Sequence, residues 1–161
     1  MATITATLAP AHGNSARGRQ PYYVQQTIDL TANSIAPGDV VQALTIPANT
    51  KIIAAGLQVV TSATMNASTD ATAILGTGAD DNEYVAAFDI DGAADGAYAP
   101  SATVADDVVL TSADTLDVTL AGSGASFTAG KLRVYASLLD VSDIGSLTAD
   151  EGDRDTLAYL S

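Results

Sequence analysis

The stretch Gly38–Thr61, GDVVQALTIPANTKIIAAGLQVVT, decides the fold class. Val40, Val41, Leu44 and Ile46 form one apolar run, Pro47-Ala48-Asn49-Thr50 a turn, and Ile52, Ile53, Leu57 and Val59 a second run. Proline fixes φ near the value a turn needs at its first corner, and asparagine tolerates the left-handed conformation that reverses a chain. The pattern predicts a β-hairpin lying centrally in a sheet. Ile53, Ala55, Leu57 and Val59 are expected to share one face by the period of two, with Lys51 at the wet end.

Working outward, Tyr22–Leu30 reads as a first strand with Tyr22, Val24 and Ile28 turned inward, ending before the Pro37-Gly38-Asp39 turn. Beyond the central stretch, Ala71–Gly76 is a short strand, Thr77–Glu83 a Gly/Asp turn, and Tyr84–Phe88 a strand or a short helix. Asp89–Ala105 is the longest irregular stretch, and a loop of that length is usually functional or an excursion onto a neighbour. Strands follow at Val108–Leu110 and Leu116–Leu120, the latter with Leu116, Val118 and Leu120 facing in. Ala121–Thr128 is a turn. From Gly130 the strand KLRVYASLLDV places Leu132, Val134, Ala136 and Leu138 in a buried row, and its opposite face, Lys131, Arg133, Tyr135 and Ser137, is not uniformly polar.

Seven or eight short strands at turn spacings of about ten residues, without a useful helical period, predict an all-β protein. The expected architecture is a single β-sandwich, jelly-roll-like, with extended N- and C-terminal arms. Residues 1–21 form the amino-terminal arm, 22–142 the sandwich and 143–161 an acidic tail anchored by Leu157, Tyr159 and Leu160. The arm, with HGNSARGRQP, has too little apolar surface to order alone and is expected to order against a partner.

The chain carries 19 acidic and 6 basic residues, net −13, yet residues 1–28 hold Arg17 and Arg19 against no acid before Asp29. An acidic body repels nucleic acid and anionic membrane, so neither is expected as a partner. No run of eighteen apolar residues is present, and the start lacks the basic head and apolar stretch of a secretory signal. With no cysteine there is neither a disulfide framework nor a thiolate metal site. Tryptophan is absent and aromatics make up 5%, which counts against stacking platforms for sugars or single-stranded nucleic acid.

Chemical motifs are weak. Asp89-Ile90-Asp91-Gly92 with Asp95-Gly96 resembles part of a calcium loop but lacks the alternating oxygen ligands and the bidentate glutamate, so Asp-Gly turns are the expected reading. Gly76-Thr77-Gly78-Ala79-Asp80 is one copy of a repeat that binds calcium only in stacks. His12 is the sole histidine, and it sits in the arm, where it is poorly placed to serve a hydrolytic triad. Gly122-Ser123-Gly124 lacks the lysine of a phosphate loop. A pair of carboxylates spaced for glycoside hydrolysis can be found among 19 acids, but no aromatic sugar platform accompanies it. No catalytic residue, metal site or cofactor is expected, and the chain reads as non-enzymatic.

Residues 38–140 carry an ordered pattern: GDVVQALTIPANTKIIAAGLQVVTSATMNASTDATAILGTGADDNEYVAAFDI and then DTLDVTLAGSGASFTAGKLRVYASLLDV. An apolar strand ending in a proline turn leads to a second apolar strand. An Ala-Thr strand then runs into a Gly-Asp turn with an acid before an aromatic, and a TAGK strand comes late. This order resembles the capsid decoration, or cement, proteins of tailed bacteriophages. The resemblance implies a virion structural protein on the outer capsid surface, often a homotrimer, that binds the major capsid protein and reinforces contacts between its subunits. Within that reading Arg17, Arg19, Tyr22 and Tyr23 are the expected capsid-binding residues, the arginines forming forked contacts to carboxylates and the tyrosines burying apolar area. Two alternatives stay open: another virion component, such as a head fibre base or a tail protein, and a secreted adhesin-like binding module.

Overall fold

The computed structural model describes residues 3–5, 21–32, 35–66, 70–100 and 109–141. Nine strands lie among the described residues: β1 Thr3–Thr5, β2 Tyr22–Asp29, β3 Val40–Ile46, β4 Thr50–Met65, β5 Ala71–Gly76, β6 Val85–Asp89, β7 Val109–Leu110, β8 Asp114–Gly122 and β9 Phe127–Asp140. They form two sheets, one ordered β1-β3-β8-β5-β6 and the other β2-β9-β4-β7. The expected all-β sandwich is present.

Its topology follows from nested pairing. β5 pairs with β6, β4 with β7, β3 with β8 and β2 with β9, all antiparallel, so the chain from β2 to β9 is one long hairpin folded about the β5–β6 turn. Rolling that hairpin into two layers adds β4 beside β9 and β5 beside β8. This is the eight-stranded jelly roll. β1, from within the expected amino-terminal arm, adds to the edge at β3 as a parallel strand.

The rolling corrects the reading of Gly38–Thr61. Its two strands are β3 and β4, but they lie in different sheets, so the Pro47–Thr50 turn is a corner between layers rather than a hairpin loop. The local chemistry holds: Asn49 has φ +56°, and its carbonyl accepts from the Val141 amide. What decides the outcome is pairing at a distance. At 16 residues β4 far outruns the seven of β3, and it is matched instead by the 14 of β9.

The face of β4 is corrected too. The register with β9 shifts between Ile52 and Ala54, so the bulge at Ile53 resets the alternation. Ile52 is buried before it, Leu57 and Val59 after it, and Ile53 is left exposed. In β3 a second shift between Gln42 and Leu44 buries both Ala43 and Leu44. Along Leu116–Leu120 and Leu132–Leu138 the alternation is as expected. Leu116, Val118 and Leu120 of β8 and Leu132, Val134, Ala136 and Leu138 of β9 are fully buried. Facing β4 and β5, these rows make one continuous core, each buried leucine contributing about 1.5–3 kcal/mol. At the start of β9, Gly130 has φ +137°, and a Cβ there would meet Leu30 Cδ1 at 2.8 Å, so the core closes against bare backbone.

Tyr84–Phe88 resolves as strand, with Tyr84 buried just ahead of β6. The described part of the long loop, residues 89–100, lies along this chain's own β4. The Val59 amide donates to the Ala97 carbonyl, the Gly96 amide to the Val59 carbonyl and the Ala99 amide to the Leu57 carbonyl. The edge that the two-residue β7 leaves uncovered is sealed by this loop, so its length has a structural cause within one molecule. Residues 101–105, Val108 and the tail 143–161 lie outside the described residues.

Candidate functional site

The outer face of the four-stranded sheet concentrates chemistry that the other faces lack. Because Val134, Ala136 and Leu138 point inward, Arg133, Tyr135, Ser137 and Leu139 point outward from β9. The register places Thr27, Gln25 and Tyr23 of β2 on one side of them and Gln58, Gly56 and Ala54 of β4 on the other. Tyr98 joins through a bridge to Gln58.

Three tyrosines meet there. Tyr23 stacks on Tyr135, with ring centroids 6.1 Å apart and planes at 21°, and Tyr98 meets Tyr135 edge-on at 5.8 Å and 74°. Tyr135 can lie flat because its neighbour on β4 is Gly56: a Cβ at that position would collide with the Tyr135 hydroxyl and stand 2.7 Å from its Cζ. The outer rings remain open to solvent, Tyr23 at 58% and Tyr98 at 60% exposure. Burial is the main cause that raises the Tyr135 phenol above its ordinary pKa, with Tyr23 and Tyr98 adding to it. Burial and Tyr98 raise Tyr23 likewise, while Arg133 opposes the rise. Tyr23 and Tyr135 therefore stay neutral well past pH 7, and the three rings present an apolar surface edged with hydroxyls.

Charge is segregated in the same way. All three described cations, Lys51, Lys131 and Arg133, project from this face, on a chain of net −13. Arg133 Nη1 donates to Gln58 Oε1 at 2.9 Å, and its Nε is buried without a hydrogen-bond partner among the described residues. Lys131 pairs with Asp29 at 3.6 Å, an exposed, solvent-screened contact that adds little to stability. By contrast the outer face of the five-stranded sheet shows Gln42, Thr45, Thr72, Ile74, Thr115, Asp117 and Thr119, with neither ring nor cation among the described residues.

The expected site residues divide. Arg17 and Arg19 lie outside the described residues. Tyr23 stands on the aromatic face, whereas Tyr22, one residue earlier, turns inward against the core, where Thr50 hydrogen-bonds its phenol. Adjacent residues of a strand point to opposite faces, so the two cannot form one surface contact. Sequence reading missed Tyr98, Tyr135, Arg133 and Gln58 as a group. The mixed outer face of β9 was the available signal; Tyr98 gave none, because its place depends on how the loop folds back on β4.

The acidic motifs are structural. Asp89 Oδ1 accepts from the Gly92 amide at 2.7 Å, Asp91 Oδ1 from the Ala71 amide at 3.1 Å, and Asp95 Oδ1 from the Ser62 amide at 2.7 Å. The latter two pin the loop to β5 and β4. Among the described residues no group of three or more histidines, cysteines or carboxylates is placed to hold a metal ion.

No protein-family model matches the chain, and no curated protein is similar to it in sequence. Solved structures that share its fold include chains of three phage capsids. A chain of the cyanophage Pam1 capsid aligns with TM-score 0.61 and 18% identity over 82% of this chain and 91% of its own. A chain of the Ralstonia phage GP4 capsid gives 0.60 and 19% over 86% and 98%. A chain of the acidic stable capsid of Helicobacter pylori bacteriophage KHP30 gives 0.51 and 16% over 75% and 92%. At these identities the likeness is one of fold.

Proposed function

We propose that this chain is a non-enzymatic structural protein of a phage virion, seated on the outer surface of the head, where it binds the major capsid protein and reinforces contacts between its subunits. The observation that carries this reading is the near end-to-end match to chains of three phage capsids, 91–98% of each neighbour's length. A jelly roll alone hosts many functions. Matches that exhaust the neighbour's chain support a shared role more strongly than a match to one domain of a larger enzyme would.

Assembly as a trimer belongs to the same proposal, as does a contribution from Arg17, Arg19, Tyr22 and Tyr23 to attachment; Tyr22, being turned inward, would act by holding the start of β2. Electron microscopy of heads with and without the protein tests the reading. Added density on the outer wall, seated across boundaries between capsid subunits, is the expected result. Density confined to the tail or a fibre base would move the protein to another virion part, and no density on the particle would overturn the proposal.

A further inference from the structure

We infer that the Tyr23–Tyr135–Tyr98 face of the four-stranded sheet is the surface on which this protein seats itself, and that its occupant is a flat protein surface bearing carboxylates. The inference rests on the reading above and names the part of the molecule that carries it out.

Three independent features converge. The first is composition: of the four large apolar side chains most open to solvent, Tyr23 and Tyr98 are on this face, and Ile53 and Val109 come from β4 and β7 of the same sheet. Tyrosine and arginine are the residues that dominate protein contact surfaces, while among the described residues neither ring nor cation occurs on the opposite face of the sandwich. The second is charge. A chain with 19 acids places all its described cations here, Lys131 beside Asp29, so this face is better suited to an acidic partner than the rest of the described surface. The third is a positioned guanidinium: Arg133 Nη1 donates to Gln58 Oε1 at 2.9 Å, which fixes the group within the face. A guanidinium held in place with donors to spare is suited to a carboxylate.

A second copy of the chain fits less well. Face against face, it would set Lys51, Lys131 and Arg133 against themselves. The described acids that could answer this face are scattered, Asp80, Asp81 and Glu83 ahead of β6, Asp89, Asp91 and Asp95 from the end of β6 into the loop, and Asp114 and Asp117 on β8, so among the described residues a second copy presents no single acidic face of matching width.

The test uses the full chain and undecorated heads of the phage that encodes it. Tyr23→Ser/Tyr98→Ser removes the two exposed rings without touching the core, and Lys131→Glu reverses a charge at the rim. The double variant is expected to keep the fold, melting a few degrees below the parent because both ring contacts to Tyr135 are lost, and to bind heads roughly tenfold or more weakly. Parent binding should weaken with salt, and Lys131→Glu should show a shallower salt dependence. Equal binding by parent and double variant overturns the inference and leaves the virion reading intact. Loss of self-association, measured by sedimentation, with head binding unchanged also overturns it and makes the face a seam between copies. Failure of the parent to bind heads at any salt overturns both.

Discussion

Two glycine-to-alanine substitutions in the sandwich should differ sharply in cost, because what the new methyl meets differs. At Gly76, the end of β5, a Cβ would run into the Asp80 carbonyl oxygen and the Asp81 backbone, with Asp81 Cα at 2.7 Å. Backbone cannot step aside without opening the turn in which the Thr77 amide donates to the Asp80 carbonyl at 2.8 Å. Overpacking of this kind costs about 1–3 kcal/mol. The turn's hydrogen bond adds about 1 kcal/mol. Gly76→Ala is therefore expected to lower the melting temperature by roughly 5–15 °C. At Gly56 the obstacle is only the far end of Tyr135, which can swing away. The lost ring contacts cost about 0.5–1.5 kcal/mol each, at the low end because Tyr23 is mostly exposed. Replacing a strand glycine returns about 0.5–1 kcal/mol. Gly56→Ala should thus melt within about 3 °C of the parent, yet lose the near-ultraviolet dichroism of the stacked tyrosines. Thermal melts followed in the far and near ultraviolet read both quantities. Equal melting temperatures for the two variants, or an unchanged tyrosine signal in Gly56→Ala, would refute the reasoning.

Leu57 is fully buried in β4 opposite Val134, and Leu57→Ala should cost about 2–5 kcal/mol in denaturant unfolding; a cost under about 1 kcal/mol would contradict the core assignment. Burial raises the Asp117 carboxyl, against the hydrogen bond from Thr115 and with Asp114 adding to the rise. Its protonated form is favoured in the fold, so stability from this group is lost as pH rises through the raised pKa. Asp117→Asn should stabilise the protein at pH 7 and lose that advantage below about pH 4, where the parent is protonated folded and unfolded alike; an advantage independent of pH would refute the assignment. With 19 acids against 6 bases, sodium chloride should raise the melting temperature by screening repulsion, and a steady fall would show that attractive ion pairs dominate.

Alternation was legible in the sequence wherever strands run without interruption. The rows Leu116–Leu120 of β8 and Leu132–Leu138 of β9 are as the period of two dictates, because each has one face on the core and the irregularity of β9 falls before Gly130. Gly38–Thr61 was half legible. Its strands and turn are local properties, but whether a turn closes a hairpin or carries the chain to the other sheet depends on which distant strands compete for pairing. The bulge at Ile53 was also hidden, since three consecutive apolar or small residues, Ile52, Ile53 and Ala54, fit either phase. The aromatic face shows the same limit. Tyr23, Tyr98 and Tyr135 lie 37 or more positions apart, and only the rolled topology brings them together. A count of aromatics over the whole chain could not reveal that half of the six tyrosines meet on one face.

The size of that face bears on the arm. β2 contributes eight residues at ~3.4 Å each, and three strands with the adjoining loop stand ~4.8 Å apart, giving a footprint of roughly 400–500 Å². A stable protein interface takes about 800 Å² from each partner. The face supplies little more than half of it, and the remainder must come from segments that leave its rim. The segment before β2 qualifies by connectivity: Arg19 precedes Tyr23 by four residues, so the chain holds their Cα atoms within about 14 Å. Arm and face would then act as one seat sharing a corner, and removing parts of one contact gives effects that fail to add. Deleting residues 2–20 and substituting Tyr23 and Tyr98 should each weaken head binding, and the combined variant should lose less or more than the product of the two losses. Losses that multiply would separate the arm from the face. An arm deletion without effect would shift the missing area to the loop that continues beyond Pro100.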